Sequence, residues 1–499
     1  MAAKRPNIVI FNPDQWRGDV LGHLGSPAVV TPNLDQIIAD DAVSFSSAFC
    51  QNPVCTPSRC SFMTGLYPHV RGHRSMNHML HLEHGETNLL KVLKDNGYFI
   101  WWGGKNDLIP GAEDFASYCD VKFTPTEVDF KRWQLRSRAN THCADSWRGT
   151  STADNYYSFF AGLLDKGDDQ YYCDGDWSCI LGALDFIDNY DSEQPFCIFL
   201  ALDYPHPPYA VEEPFFSMID REKVSAKINP PANLDNEPVL LQGIREGQNM
   251  QNWSEERWKE LRAVYYGMCA RSDHQFGLIT ERLKTHELYD DTAIFFFSDH
   301  GDFTGDYGLV EKCQNNFHDC LVRVPLIIKP PNGVKVKAGI NHALVELVDF
   351  SATVYDLLDI DPGYDQFGCS LLPVIAGEHN EHRDAVFCEG GRRYGESQVT
   401  EALYLNNCPD GLYLPRIKLE ACDDQPYHGK ATMCRTKNFK YVMRLYETDE
   451  LYDLQKDPDE IVNEINNPNY AIELAQLKNR LLTWYMESCD TVPRQQDIR

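Results

Sequence analysis

No apolar run in this 499-residue chain approaches the ~18 residues that a membrane span needs. The strongest runs, Phe196–Leu202 and Ala293–Phe297, have the length of strands. The opening stretch holds only the short run Ile8–Phe11, less than the apolar centre of about 7–15 residues in a secretory leader, so a cytoplasmic protein is expected. Basic residues are scarce: 46 Lys and Arg stand against 74 Asp and Glu, a net charge of −28. That balance argues against a nucleic acid and against an anionic membrane surface as partners. It leaves room for a small anionic substrate, because a pocket can be locally positive on a repelling surface. No Cys-x-x-Cys pair occurs among the seventeen cysteines, so the common spacing of a structural zinc site is missing. The number is odd and the chain is long, which does not fit a disulfide scaffold. Most of these thiols are expected as small buried residues in a reducing compartment. Internal repeats and low-complexity tracts are also lacking.

A 43% hydrophobic and 24% charged composition is that of a globular protein, and the length suggests two or three domains. Strand-like and helix-like segments alternate. Ile8–Phe11 ends in the polar cluster Asn12-Pro13-Asp14-Gln15, as a buried parallel strand entering a loop does. Leu34–Asp40 and Thr87–Asn96 read as helices, the second closed by Gly97. Tyr98–Trp102 is a strand that ends at Gly103-Gly104, and Phe196–Leu202 is one stopped by the prolines of Tyr204-Pro205-His206-Pro207-Pro208. Glu255–Leu283 is a long helix feeding the strand Thr292–Phe297, which opens into Ser298-Asp299-His300-Gly301. Val324–Lys329 is expected as a further strand and Leu344–Leu358 as a helix. The expected fold is α/β, a large mostly parallel sheet flanked by helices, with a smaller C-terminal α+β domain. Residues 1–375 would form the catalytic domain, with 103–180 as a long insertion suited to shaping a substrate pocket. Residues 376–499 would form the second domain: Asn406–Lys430 reads as loop, Thr432–Leu445 and Glu450–Leu454 as antiparallel strands, and Tyr470–Met486 as an amphipathic helix. Ligands of such sheets sit beyond the carboxyl ends of the strands. Asp14, Lys105, His206 and Asp299-His300 all follow strands at that end.

The sharpest signal is Cys55-Thr56-Pro57-Ser58-Arg59, trailed by Thr64-Gly65-Leu66-Tyr67-Pro68. Asp14-Gln15, Gly104-Lys105, Pro205-His206 and Asp299-His300 accompany it, with Lys312 twelve residues beyond His300, then Arg323-Val324-Pro325-Leu326. Leu451-Tyr452-Asp453-Leu454 and Asp457-Pro458-Asp459-Glu460 follow near the end. In this order and over essentially the whole chain, the set resembles the type I sulfatases and their phosphonate monoester hydrolase relatives in the alkaline phosphatase superfamily.

The resemblance implies a metal-dependent ester hydrolase whose partners are a small anionic ester and, during maturation, a formylglycine-generating enzyme. Cys55 would be converted to 3-oxoalanine (formylglycine), whose hydrate gives one oxygen to the metal and uses the other as nucleophile. Asp14, Asp299, His300 and residue 55 would hold one divalent ion. A sulfate or phosphonate ester repels nucleophiles until its charge is neutralised, which is the reason for a hard cation in an oxygen-rich site. Arg59, one helical turn on, would orient the diol. Lys105 and Lys312 would stabilise the non-bridging oxygens, and His206 would protonate the leaving alkoxide. Loss of the second diol proton expels sulfate and restores the aldehyde, an exit that a serine or cysteine ester lacks. His73, Asn77 and Asp107 could line the substrate pocket. The pattern carries no signal for or against oligomerisation.

Two departures bear on the chemistry. Many sulfatases have two adjacent aspartates where this chain has Pro13-Asp14, and Asp-Asn where it has Asp299-His300. Calcium is the expected ion, and the imidazole admits manganese or zinc. The family's Gly-Lys-Trp-His appears as Gly104-Lys105-Asn106-Asp107, and an aspartate there repels a sulfate oxygen unless it grips a hydroxyl or an amine. Three readings follow. One is a sulfatase for a sulfated carbohydrate or other small organosulfate. The second is a phosphonate monoester or phosphodiester hydrolase. The third is a binding protein that keeps the metal site but leaves Cys55 a thiol.

Overall fold

The computed structural model describes residues 5–111, 113–138, 145–234, 236–396, 411–422, 427–492 and 494. The main strands are β1 (Asn7–Asn12), β2 (Val43–Phe45), β3 (Phe99–Gly104), β4 (Val121–Phe123), β5 (Phe196–Ala201), β6 (Thr292–Phe297), β7 (Leu326–Lys329) and β8 (Gly339–Asn341). Among the described residues they form one sheet in the spatial order β8-β2-β7-β6-β1-β5-β3-β4. Only β7 runs against the others. All six residues of β1 are buried, as its unbroken apolar run requires of a strand with helices on both faces. It lies parallel between β5 and β6, pairing Phe11 with Leu200 and with Phe296.

The two-residue period of a strand divides this sheet into two cores. Ile8, Ile10, Trp102, Phe199, Phe295 and Phe297 face one layer, which holds Phe62 and Met63 of the helix Cys55–Thr64 and Phe350 of the helix Val348–Leu358. Val9, Phe11, Trp101, Leu200, Ile294 and Phe296 face the other, against the helices Gly175–Asn189 and Glu255–Thr285. Phe62 meets Phe297 edge-on at 4.9 Å, and this contact seats the helix that begins at Cys55 over the end of β6. The described residues contain no helix long and apolar enough to cross a membrane.

Three expectations are corrected. Val324–Lys329 is divided by Pro325, which has no N–H for a ladder, so Arg323–Val324 pairs instead with Ala48–Phe49. Leu344–Leu358 is not helical throughout: Val345–Glu346 is a strand beside Ala48–Phe49, and the helix starts at Val348. The carboxylate of Asp349, which accepts from the Glu346 and Cys369 N–H groups, fixes that change of direction. The stretch 103–180 contains β4, short helices and the strand Phe160–Leu164, which pairs with Tyr209–Glu212. Of Asn406–Lys430, residues 411–422 and 427–430 are described, and they include a helix, Leu414–Glu420, where a loop is expected.

The C-terminal sheet is antiparallel, β9 (Val386–Gly390), β10 (Ala431–Arg435), β11 (Phe439–Arg444) and β12 (Glu450–Asp453) in sequence order. The closing helix Ala471–Ser488 covers it with Leu477, Leu481 and Trp484. This sheet is bound tightly to the segment that carries Lys312. Lys440 donates to the Phe317 carbonyl and to Asp319, each at 2.7 Å, and also meets Glu460. A Cβ on Gly390 would lie 1.8 Å from the Gln314 carbonyl oxygen, so only glycine permits the approach. Trp484 stacks on Phe387 at 4.6 Å and meets Tyr67 edge-on. Replacement Trp484→Ala is expected to cost about 3–5 kcal/mol, read as an earlier urea-unfolding midpoint.

Candidate active site

The site forms where β1, β3, β5 and β6 end and the helix Cys55–Thr64 begins. The turn after β1 places Gln15 at a positive φ of 70°, so that its backbone N–H donates to Asp299 Oδ1 at 3.1 Å. The next amide, Trp16, donates to Ser298 Oγ at 2.8 Å. Ser58, on the Cys55 helix, donates to the Asp299 carbonyl at 2.6 Å. Three separate chain segments are thereby fixed around one point. Gly104 closes β3 with φ of 91°, and a Cβ there would lie 1.9 Å from the Ala201 carbonyl oxygen. The missing side chain lets Lys105 follow at once, its own N–H on that same carbonyl.

Asp14, Cys55, Asp299 and His300 are buried together, with one donor atom from each lying within 4.8 Å of all the others. Cys55 Sγ is 3.3 Å from His300 Nε2 and 3.7 Å from Asp14 Oδ1. His300 Nε2 stands 3.5 Å from Asp14 Oδ1 and 3.8 Å from Asp299 Oδ1. The other ring nitrogen, Nδ1, is 3.0 Å from the Gly301 carbonyl. A carbonyl only accepts, so Nδ1 carries the hydrogen and Nε2 turns a lone pair to the cluster. The carboxylates are divided in the same sense. Asp14 Oδ2 takes Lys105 Nζ at 2.7 Å and an Arg59 nitrogen at 3.1 Å, while Oδ1 faces His300 and Cys55. Arg59 Nε donates to Asp299 Oδ2 at 2.9 Å. Two carboxylate oxygens and an imidazole lone pair converging in a buried place are a fitting donor set for a divalent cation.

The electrostatics follow from burial and neighbours. Burial alone would raise the Asp14 carboxyl, but Lys105, His206, Arg59 and His300 hold it well below the usual carboxylate range. Burial lowers His300, helped by Lys312 and opposed by Asp299 and Asp14. Burial pushes the Cys55 thiol up, and Asp14 adds to the shift.

Lys312 donates to Gln15 Oε1 at 2.6 Å and lies 3.1 Å from Glu311. Asp107 comes within 3.2 Å of Lys105 Nζ and 4.0 Å of Arg59 Nε, so it belongs to the cationic side of the cluster. His206 donates from Nδ1 to the Pro207 carbonyl at 2.7 Å, and its Nε2 lies 3.4 Å from the Tyr413 hydroxyl. Burial and Lys312 hold this imidazole well below its ordinary value, against the pull of Asp14. Of the other pocket candidates, His73 has both ring nitrogens engaged, with the His78 carbonyl and Glu86. Asn77 is exposed and makes no hydrogen bond among the described residues. The structure thus joins Asp14, Cys55, Arg59, Lys105, Asp107, Asp299 and His300 directly, brings His206 and Lys312 beside them, and links neither His73 nor Asn77 to the cluster.

Sequence reasoning passed over Gln15, Ser58, Tyr413 and Asp176. Gln15 and Ser58 lie inside the motifs already singled out, and only their partners reveal their work. Pro415 in the first turn of an otherwise helix-forming stretch was the available sign of the helix beside Tyr413. Asp176 accepts from the Asp203 and Tyr204 N–H groups, each at 2.8 Å, and so holds the turn that carries His206.

The family model described as Sulfatase matches residues 6–360. The chain is 25% identical to the multifunctional alkaline phosphatase superfamily protein PehA of Trinickia caryophylli, over 97% of this chain and 96% of that one. It is 24% identical to a choline-sulfatase of Rhizobium meliloti (strain 1021), over 100% and 91%. Its fold is similar to that of the phosphonate monoester hydrolase of Agrobacterium radiobacter, with a TM-score of 0.75 at 24% identity, over 97% of this chain and 96% of that one.

Burial, with Asp203 and Asp174 adding, pushes the Asp176 carboxyl up to about 8. The folded chain therefore keeps a proton that the unfolded chain, with an ordinary carboxyl near ~4, has released. Between about pH 4 and about pH 8 this group makes stability fall as pH rises. The stability of Asp176→Asn relative to the parent should accordingly improve across that window, as measured by urea unfolding at a series of pH values. A difference that stays flat with pH would contradict a carboxyl held protonated here.

Proposed function

Because the chain belongs to the sulfatase family, we propose that it hydrolyses the sulfuric ester of a sulfated carbohydrate or other small organosulfate and releases sulfate. The observation that carries this reading is the convergence of Asp14, Cys55, Asp299 and His300 with the cations Arg59 and Lys105 at one buried point. Asp14, Asp299 and His300 would hold one divalent ion, calcium in this reading, with manganese or zinc admitted by the imidazole. When bound, such an ion supplies positive charge that polarises the ester oxygens. Residue 55, once matured from cysteine to formylglycine, would supply a hydrated aldehyde, one hydroxyl serving as nucleophile and the second allowing sulfate to be expelled.

The remaining roles belong to this chain's own side chains. Arg59 balances both carboxylates from the turn after Cys55, so the nucleophile meets a fixed charge pattern. Lys105 and Lys312 approach from opposite chain segments and neutralise the non-bridging oxygens of the ester. Gln15 holds the Lys312 ammonium in place. His206 presents Nε2, the ring nitrogen not bonded to Pro207, for proton transfer to the departing alkoxide.

A second reading, hydrolysis of phosphonate monoesters or phosphodiesters, is favoured by His300, which stands where many sulfatases carry an asparagine. Turnover of an aryl sulfate beside its aryl phosphonate counterpart decides between them. The proposal expects the sulfate to be preferred, and a phosphonate preference would replace it with the second reading. The nucleophile is tested on the tryptic peptide Gly18–Arg59, which contains no internal Lys or Arg. In protein from its own cell, residue 55 should be lighter than cysteine and reactive toward hydrazides, with Cys50 unchanged. An unmodified thiol at 55 in a fully active preparation would overturn the formylglycine mechanism.

A further inference from the structure

Tyr413 stands outside every motif of the sequence, yet its hydroxyl lies 3.4 Å from His206 Nε2. It immediately precedes the helix Leu414–Glu420. Its ring is packed edge-on by Phe159 at 5.1 Å, and the Arg416 guanidinium lies 5.1 Å from the ring centre. Arg416 in turn donates to Glu311 Oε2 at 2.6 Å and to the Lys312 carbonyl at 3.2 Å, so the tyrosine is tied to the segment bearing the second lysine. The same helix sits on Val239–Gln248 without space for one methyl group. A Cβ on Gly247 would lie 2.7 Å from Cβ of Pro415, an atom that no side-chain rotation moves aside. Tyr413 is therefore placed by a built scaffold and not by a mobile surface side chain.

The hydrogen-bond polarity gives the contact a direction. His206 Nδ1 donates to the Pro207 carbonyl, so Nε2 is the nitrogen that takes up a proton, once the anionic ester offsets the burial and the Lys312 charge that depress this ring, and it is this proton that the ring then passes on. Once that proton has gone to the alkoxide, Nε2 holds a lone pair, and the phenol oxygen 3.4 Å away carries an O–H that can donate to it. The bond from His206 Nε2 to hydrogen breaks, the bond from hydrogen to the leaving oxygen forms, and the phenol keeps its own proton throughout. We propose that Tyr413 is a positioning residue that aims His206 Nε2 and stabilises the imidazole left behind when the leaving group takes its proton. The proposal rests on the reading of His206 as the acid for the leaving alkoxide.

Such a role matters in proportion to how badly the leaving group needs a proton. A nitrophenolate departs without help, whereas an alkoxide does not. Tyr413→Phe should lower kcat about tenfold for an alkyl sulfate, the loss expected for one hydrogen bond to the acid, and leave KM little changed. Nitrophenyl sulfate should be turned over within about twofold of the parent rate, which also verifies that the variant folds. His206→Gln is measured beside it and should show the same dependence on the leaving group, only steeper. Equal losses of Tyr413→Phe on both esters, or no loss on either, would overturn the proposal while His206→Gln still discriminates between them. If His206→Gln itself fails to discriminate, the assignment of the acid falls and the role of Tyr413 falls with it.

Discussion

Two carboxylates at the ends of neighbouring strands, both shut off from water, would repel each other strongly unless a buried cation stood between them. Arg59 is that cation. Its guanidinium spans Asp14 and Asp299, and its planar fork suits two acceptors on different strands. Because Arg59 lies one turn along the helix from Cys55, the same ion pairs that make the carboxylates tolerable also fix residue 55. The cluster, the start of the helix and the sheet ends are thus parts of one electrostatic arrangement.

Around this centre the chain uses backbone amides to bring loops into register and leaves the side-chain oxygens directed inward. Gln15 shows the economy of the design: its N–H holds Asp299, its amide oxygen holds Lys312 and its amide nitrogen reaches Asp302. The C-terminal sheet acts at a distance. Lys440 and Arg435 grip Asp319, beyond Lys312 in sequence, while Arg416 grips Glu311 just before it. The segment that carries Lys312 is therefore pinned from both sides by residues that arrive late in the chain.

Most of the sheet was legible because its strands are unbroken apolar runs, and burial on both faces demands that composition. The cluster was legible because its residues follow those strands directly, as Asp14 and Asp299-His300 do, or form a dense local motif, as Cys55 and Arg59 do. What failed to show depends on contacts remote in sequence. Val345–Glu346 has the composition of a helix start, yet pairing with Ala48–Phe49 overrides it. Tyr413 precedes a helix that Pro415 could have signalled, but nothing local in sequence ties its hydroxyl to His206. His73 and Asn77 follow the nucleophile helix closely, but a short distance in sequence did not bring them to the cluster. Gln15 and Ser58 belong to recognised motifs, and polar side chains of that kind disclose their partners only in three dimensions.

The central strand β1 has a consequence for the order of events in synthesis. Its two partners, β5 and β6, are made long after it, and Asp299 and His300 emerge later still. Until then β1 has no neighbours, and the segment around Cys55 cannot be enclosed, because the walls that enclose it do not yet exist. The ribosome thus imposes an interval in which this thiol is open to reagents and enzymes, and completion of the sheet ends it. For residue 55, time along the chain decides what burial later conceals.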